Sequence, residues 1–267
     1  MIQVRLWNDC YNNCSFCSLS GKKHITDIKN KKTRILNLLT LKDDKIGLIG
    51  GEFFEGQLRG CEEEWLHMIK NIGCSDLFIT ANLINEQYLL EETLKIRPDI
   101  LICTSYDSVG RFKNKSQKDR WLERVNSINN IFCTIIPTQD IIEDPFIDKI
   151  KCGINLCEPH LGVDWYASVK KDDYHSILIR ENKIFNLPKR KDLLKWIAKH
   201  KQVLSLMKNY KATHFDSILS FDEENNFIYE VKSRFNDPNN VASCGHPYFS
   251  RCYADSDRCL ECDLEEL

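Results

Sequence analysis

Cys10, Cys14 and Cys17 form a C-x3-C-x2-C cluster in "DCYNNCSFCSL", near the first residue of the chain. Thiolates at this spacing can wrap around one metal centre. Closed structural zinc sites and fully ligated [4Fe-4S] clusters both take four protein ligands, so three point to a centre with one open position. Four more cysteines, Cys244, Cys252, Cys259 and Cys262, follow a C-x7-C-x6-C-x2-C spacing near the end of the sequence. In a reduced compartment that group also reads as a metal site, with iron-sulfur or zinc as the alternatives, and His246 as a substitute ligand. The remaining six of the thirteen, Cys61, Cys74, Cys103, Cys133, Cys152 and Cys157, are scattered, several in apolar runs such as "ILICTS" and "IFCTII". There a free thiol is a small core hydrophobe. Cys157 also ends a predicted strand, which places it near the same rim as the first cluster.

Positioning such groups requires a scaffold, and the chain alternates short apolar runs with helical patterns up to about residue 158. The runs are "QVRLW" (3–7), "KIGLIG" (45–50), "DLFITA" (76–81), "DILICTS" (99–105), "NIFCTII" (130–136) and "KCGINLC" (151–157). They are too short for helices and rich in Ile, Leu and Phe, as strands buried on both faces are. Between them, Trp65, Met68, Ile69 and Ile72 share one helical face, as do Trp121, Leu122, Val125 and Ile128. Six such units predict parallel βαβ connections in an open or partial barrel, short of the eight of a closed one. Beyond "LCEPHLG" the rhythm changes: a helix is expected after Pro188 with Leu193, Leu194, Ile197 and Leu204 inward, then a hairpin around "DEENN" and the cysteine-rich tail.

The length, 267 residues with 42% hydrophobic content, allows a substantial core. Net charge is −2, so no global field draws the chain to nucleic acid or anionic membrane. No apolar stretch approaches the roughly 20 residues of a membrane span, and "MIQVRLWNDC" lacks a signal-peptide core, so a cytoplasmic protein without membrane partners is expected.

The first cluster resembles the hallmark of the radical S-adenosylmethionine (radical SAM) enzymes, C-x3-C-x-aromatic-C, with Phe16 as the aromatic. A second motif of that family, Gly-Gly-Glu after the second strand, stands here as Gly50, Gly51 and Glu52. The resemblance covers residues 1 to about 160. It implies a partial (β/α)6 barrel core over 1–160, a helix and hairpin extension on the substrate side over 161–235, and an auxiliary cluster segment over 236–267. It also implies a [4Fe-4S] cluster on Cys10, Cys14 and Cys17, with SAM on the open iron. Gly50, Gly51 and Glu52 would then meet the methionine amino group and Phe16 would lie near the adenine. At the end of the fourth strand, Ser105 and Asp107 would meet the ribose hydroxyls and Arg111 the methionine carboxylate, with Asn82 also facing the pocket. Phe53 replaces the family's usual proline after Gly-Gly-Glu, and "GINLCEP" lacks the second glycine of the sixth-strand motif, which bears on an adenine contact around Asn155 and Leu156.

The hairpin followed by a Cys-rich tail resembles a shortened SPASM/twitch extension, which has room for one auxiliary [4Fe-4S] cluster; zinc is the alternative. The function expected from the resemblance is reductive SAM cleavage to a 5'-deoxyadenosyl radical and hydrogen abstraction from a small-molecule, nucleotide or peptide substrate. A reductant such as flavodoxin or ferredoxin would supply the electron. Cys10 lies so near the start that no N-terminal cobalamin or peptide-leader-binding domain is expected. An activase of a glycyl-radical partner protein would share the whole first cluster. A zinc-stabilised RNA-binding module is the non-enzymatic alternative, using the basic runs "GKKHITDIKNKKTR" and "LPKRKDLLKWIAKHK". The near-neutral charge gives nucleic-acid binding little support.

Overall fold

The computed structural model describes residues 2–10, 12, 26–107, 111–135, 138–156, 190–200 and 217–232. Within these, β1 (Ile2–Arg5), α1 (Ile28–Asn37), β2 (Lys45–Ile49), α2 (Glu62–Asn71), β3 (Asp76–Thr80), α3 (Leu90–Ile96) and β4 (Leu101–Tyr106) follow in order. Then come α4 (Lys115–Ser127), β5 (Ile131–Ile135), the single turn α5 (Gln139–Ile142), β6 (Gly153–Leu156), α6 (Arg190–Lys199), β7 (Ser217–Phe221) and β8 (Phe227–Lys232). The strands form one sheet in the order β6-β5-β4-β3-β2-β1-β7-β8. All neighbours pair in parallel except β7 and β8, which form an antiparallel hairpin. The fold is thus an α/β fold on a mostly parallel sheet.

Local chemistry explains the helices. Asp27 caps α1 by accepting from the Asn30 amide at 2.9 Å, and Asn114 caps α4 through the Gln117 amide at 3.0 Å. Three glutamates open α2 and Lys70 lies in its last turn, matching the helix dipole at both ends. The inward faces hold as expected: Trp65, Met68, Ile69 and Ile72 of the α2 segment are buried, as are Trp121 and Val125 of α4. Leu193 and Ile197 of α6 are buried too.

The strands are less uniformly buried than a run of apolar residues suggests. Burial alternates along β4 and β5, with Ile102, Thr104, Tyr106, Ile131, Cys133 and Ile135 in the core. Thr80, Cys103, Ser105 and Thr134 lie at part-exposed positions between buried ones. Gly47 pairs with Phe78, and a Cβ at Gly47 would stand 2.0 Å from the Phe78 ring, which lies over the glycine.

The hairpin has a place the sequence did not signal. β7 lies parallel beside β1 and extends the core sheet, so β1 is an interior strand rather than an edge with unpaired backbone groups. The turn is tied back to α1: Arg34 Nε donates to Asn225 Oδ1 at 2.7 Å, and Asn37 Nδ2 to the Asn225 carbonyl at 2.7 Å. Asn225 takes the left-handed conformation, φ 65°, that asparagine tolerates in turns. Among the described residues, no helix is long and apolar enough to cross a membrane. The cysteine-rich tail lies outside the described residues.

Candidate active site

β1 and β2 run parallel, and their pairing continues past both strand ends. Leu6 N donates to Ile49 O at 3.3 Å, Gly51 N to Trp7 O at 2.8 Å, and Glu52 N to Asp9 O at 2.8 Å. The Trp7 indole closes the clasp by donating to the Glu52 carbonyl at 2.8 Å. The two glycines permit this approach. A Cβ on Gly50, whose φ is +130°, would fall 2.3 Å from the Trp7 carbonyl oxygen, and one on Gly51 would fall 2.1 Å from that of Asp9. The close contact they allow is therefore to the backbone that leads into Cys10.

The same loop is anchored at its far end. Asp9 Oδ1 accepts from the Thr26 amide at 2.9 Å, and Oδ2 pairs with Lys31 Nζ on α1 at 2.8 Å. Lys31 also donates to the Gln57 carbonyl at 3.1 Å and stands over the Trp7 ring. Residues just before Cys10 and just after the cysteine loop are thus fixed to one buried carboxylate. Neither Asp9 nor Lys31 is singled out by sequence, since Lys31 sits in the basic run "KNKKTR", which reads as a solvated face.

Across the ends of β2, β3 and β4, the side chains of Glu52, Asn82, Ser105 and Arg111 converge. Glu52, 1% exposed, accepts from the Phe54 amide at 3.0 Å through Oε1 and from the Asn82 amide at 2.5 Å through Oε2. Asn82 Nδ2 donates to Cys10 Sγ at 3.6 Å. Arg111 donates to Ser105 Oγ at 2.7 Å, to the Asn82 carbonyl at 3.2 Å and to Asn82 Oδ1 at 3.3 Å. Asp107 is buried at the exit of β4. Burial, with Glu55 adding to it, pushes the Glu52 carboxyl up to about 8 against the pull of its amide donors.

Cys10, Gly50, Gly51, Glu52, Ser105, Asp107 and Arg111 therefore occupy one edge of the sheet, the C-terminal edge of its parallel strands, where α/β folds place their ligands. Cys14, Phe16, Cys17, Cys157, Cys244, His246, Cys252, Cys259 and Cys262 lie outside the described residues, as do Trp165 and Tyr166. Asn155 and Leu156 are described only as backbone of β6. Among the described residues no three His, Cys, Asp or Glu side chains stand together as a metal site, and Cys10 represents its triad alone. Beside the loop, Arg5, Asn8, Thr26, Asn30, Arg34 and Phe221 help to line a cavity of about 330 Å³.

No protein-family model matches the chain, and no curated protein matches it in sequence. Among solved structures it is similar to SuiB of Streptococcus suis, at 14% identity and a TM-score of 0.46, over 83% of this chain and 49% of that one. SuiB bound to S-adenosylmethionine matches at 15% identity and a TM-score of 0.43, over 75% and 45%. HydG, a maturase of the [FeFe]-hydrogenase, matches at 13% identity and 0.34, over 92% and 64%. The chain spans about half the length of SuiB. At such scores the functional reading rests on the residues of this chain.

Proposed function

We propose that this chain is a radical SAM enzyme. The observation that carries the reading is the meeting of its two motifs: Glu52 of Gly-Gly-Glu holds the Asn82 amide, whose side chain reaches the sulfur of Cys10. The first thiol of the triad and a glycine-bounded carboxyl, distant in sequence, thus share one sheet edge.

The donor set fits the group. Three thiolates on a short loop suit a cubane with one iron left open, and the loop is anchored before and after by Asp9. Cys10, Cys14 and Cys17 would hold the [4Fe-4S] cluster. Held there, the cluster would supply the one electron for reductive SAM cleavage to methionine and a 5'-deoxyadenosyl radical, and so the means of hydrogen abstraction from the substrate. The chain's own part is binding and orientation. The Glu52 carboxyl accepts from the Phe54 and Asn82 amides, and a carboxylate with roughly four acceptor positions can also take an ammonium donor. A cation there would favour the carboxylate over the neutral acid that burial otherwise imposes. Arg111, fixed by Ser105 and Asn82, offers a guanidinium suited to a carboxylate. Cys244, Cys252, Cys259 and Cys262 would hold one auxiliary iron-sulfur cluster, with flavodoxin or ferredoxin as reductant and a small-molecule, nucleotide or peptide substrate.

The test is anaerobic iron and zinc content, with 5'-deoxyadenosine formation on adding SAM and a strong reductant, for the wild type and a Cys10/Cys14/Cys17→Ala variant. About eight irons falling to about four, with loss of 5'-deoxyadenosine, supports both clusters. About four irons and one zinc in the wild type keeps the enzyme and makes the tail structural. Zinc alone without SAM cleavage rejects the reading.

A further inference from the structure

Asn82 lies in a loop after β3, yet it is held on every side. Its amide is fixed by Glu52, and its carbonyl accepts from Arg111 and, at 3.3 Å, from Thr104 Oγ1. Thr104 is in turn met by the indole of the buried Trp121 at 3.3 Å. Chemistry decides which way the Asn82 amide points. A guanidinium only donates, so Oδ1 must face Arg111, which leaves Nδ2 with its hydrogens to face Cys10 Sγ at 3.6 Å. The donor is thus aimed at the sulfur by a cation on the other end of the same amide.

We infer that Asn82 is a positioning residue that donates an N–H···S hydrogen bond to the Cys10 thiolate and raises the reduction potential of the cluster that Cys10 helps to hold. This inference rests on the radical SAM reading. Reduction places additional negative charge on the ligating sulfurs, so a donor at the sulfur stabilises the reduced state more than the oxidised one. Arg111 draws electron density from Oδ1 and makes the opposite N–H a stronger donor, as hydrogen-bonded chains polarise one another.

The experiment is an anaerobic redox titration of the full-length, iron-loaded protein, following by electron paramagnetic resonance the signal that changes on adding SAM. That response picks out the cluster with the open iron. Asn82→Leu removes the donor at similar volume; Asn82→Asp keeps the shape and the Arg111 contact but puts an oxygen where the N–H stood. Both variants should shift the midpoint of that signal, measured without SAM, to a more negative value while retaining iron. A tenfold fall in the reduced-to-oxidised ratio at fixed potential corresponds to about 59 mV for one electron. A midpoint unchanged or more positive in both variants would overturn the inference and leave the enzyme reading intact. Loss of that cluster from both would also overturn it, since Asn82 would then serve retention rather than potential. A wild type without a SAM-sensitive signal would instead reject the functional reading itself.

Discussion

Asp9 and Lys31 form a buried ion pair, 2.8 Å between Oδ2 and Nζ, one residue before the first cysteine. Both side chains are 8% exposed. The pair joins the exit of β1 to α1, and the second carboxylate oxygen takes the Thr26 amide, so one side chain closes the loop that carries the thiols.

Removing one partner of this pair leaves the other as an uncompensated buried charge, which costs about 3–5 kcal/mol. Lys31→Met should therefore lower the urea midpoint markedly and reduce iron retention at the first site. Asp9→Asn/Lys31→Met, which removes both charges, should be less destabilised than the sum of the single variants. Additive losses would show that the pair is not coupled.

Gly51→Ala should destabilise the protein by about 3 kcal/mol or more, the upper range for forcing extra volume into packed structure. Its Cβ would meet backbone, 2.1 Å from the Asp9 oxygen, and backbone cannot swing aside as a side chain can. Gly73→Ala is the control, because nothing lies within 4 Å of a Cβ there. Thermal unfolding of both variants, with iron content of the first, checks the contrast; equal melting temperatures would count against the clasp between Gly51 and Asp9.

The Glu52 carboxyl is raised from its ordinary 4.5 to about 8, chiefly by burial. A carboxyl shifted this way binds more protons folded than unfolded between those two values, so the fold loses stability as pH rises through that window. Glu52→Gln removes the titration. In urea unfolding of the metal-free protein from pH 5 to 8, wild-type stability should fall relative to the variant, and parallel profiles would contradict the assignment.

Burial also holds the Cys133 thiol well above its ordinary range and pushes that of Cys152 up to about 11. The thiolate is the reactive form, so both should resist iodoacetamide at pH 8 until denaturant is added. Mass-spectrometric mapping of the labelled sites reads this directly, and prompt labelling of Cys133 in the folded protein would contradict its burial.

The six parallel strands are legible because each is a short apolar run between helical patterns, and their ends place Cys10 and Glu52 on one edge. The inward faces of α2 and α4 are legible for the same reason, with Trp65 and Trp121 at the centre of each. What the sequence hides is pairing across distance. Nothing local marks β7 as the neighbour of β1, because register between strands so far apart is a tertiary matter. Lys31 looks solvated among other lysines, and only the fold shows that it meets Asp9. Asn82 reads as a turn residue, yet its contact with Cys10 spans 72 positions. The rim residues of β4 are visible as strand-end Ser105 and Asp107, but the bond from Arg111 to Ser105, six positions apart, is seen only in the fold.

The position of β7 bears on the order in which the chain is made. β1, which leads into Cys10, is synthesised well before its partner on one side, Ser217–Phe221. Until then the first strand keeps an open edge, and a contact of such sequence separation forms slowly. Iron offered before β7 is made would meet Cys10 beside a half-supported strand, so stable incorporation should follow the synthesis of β7.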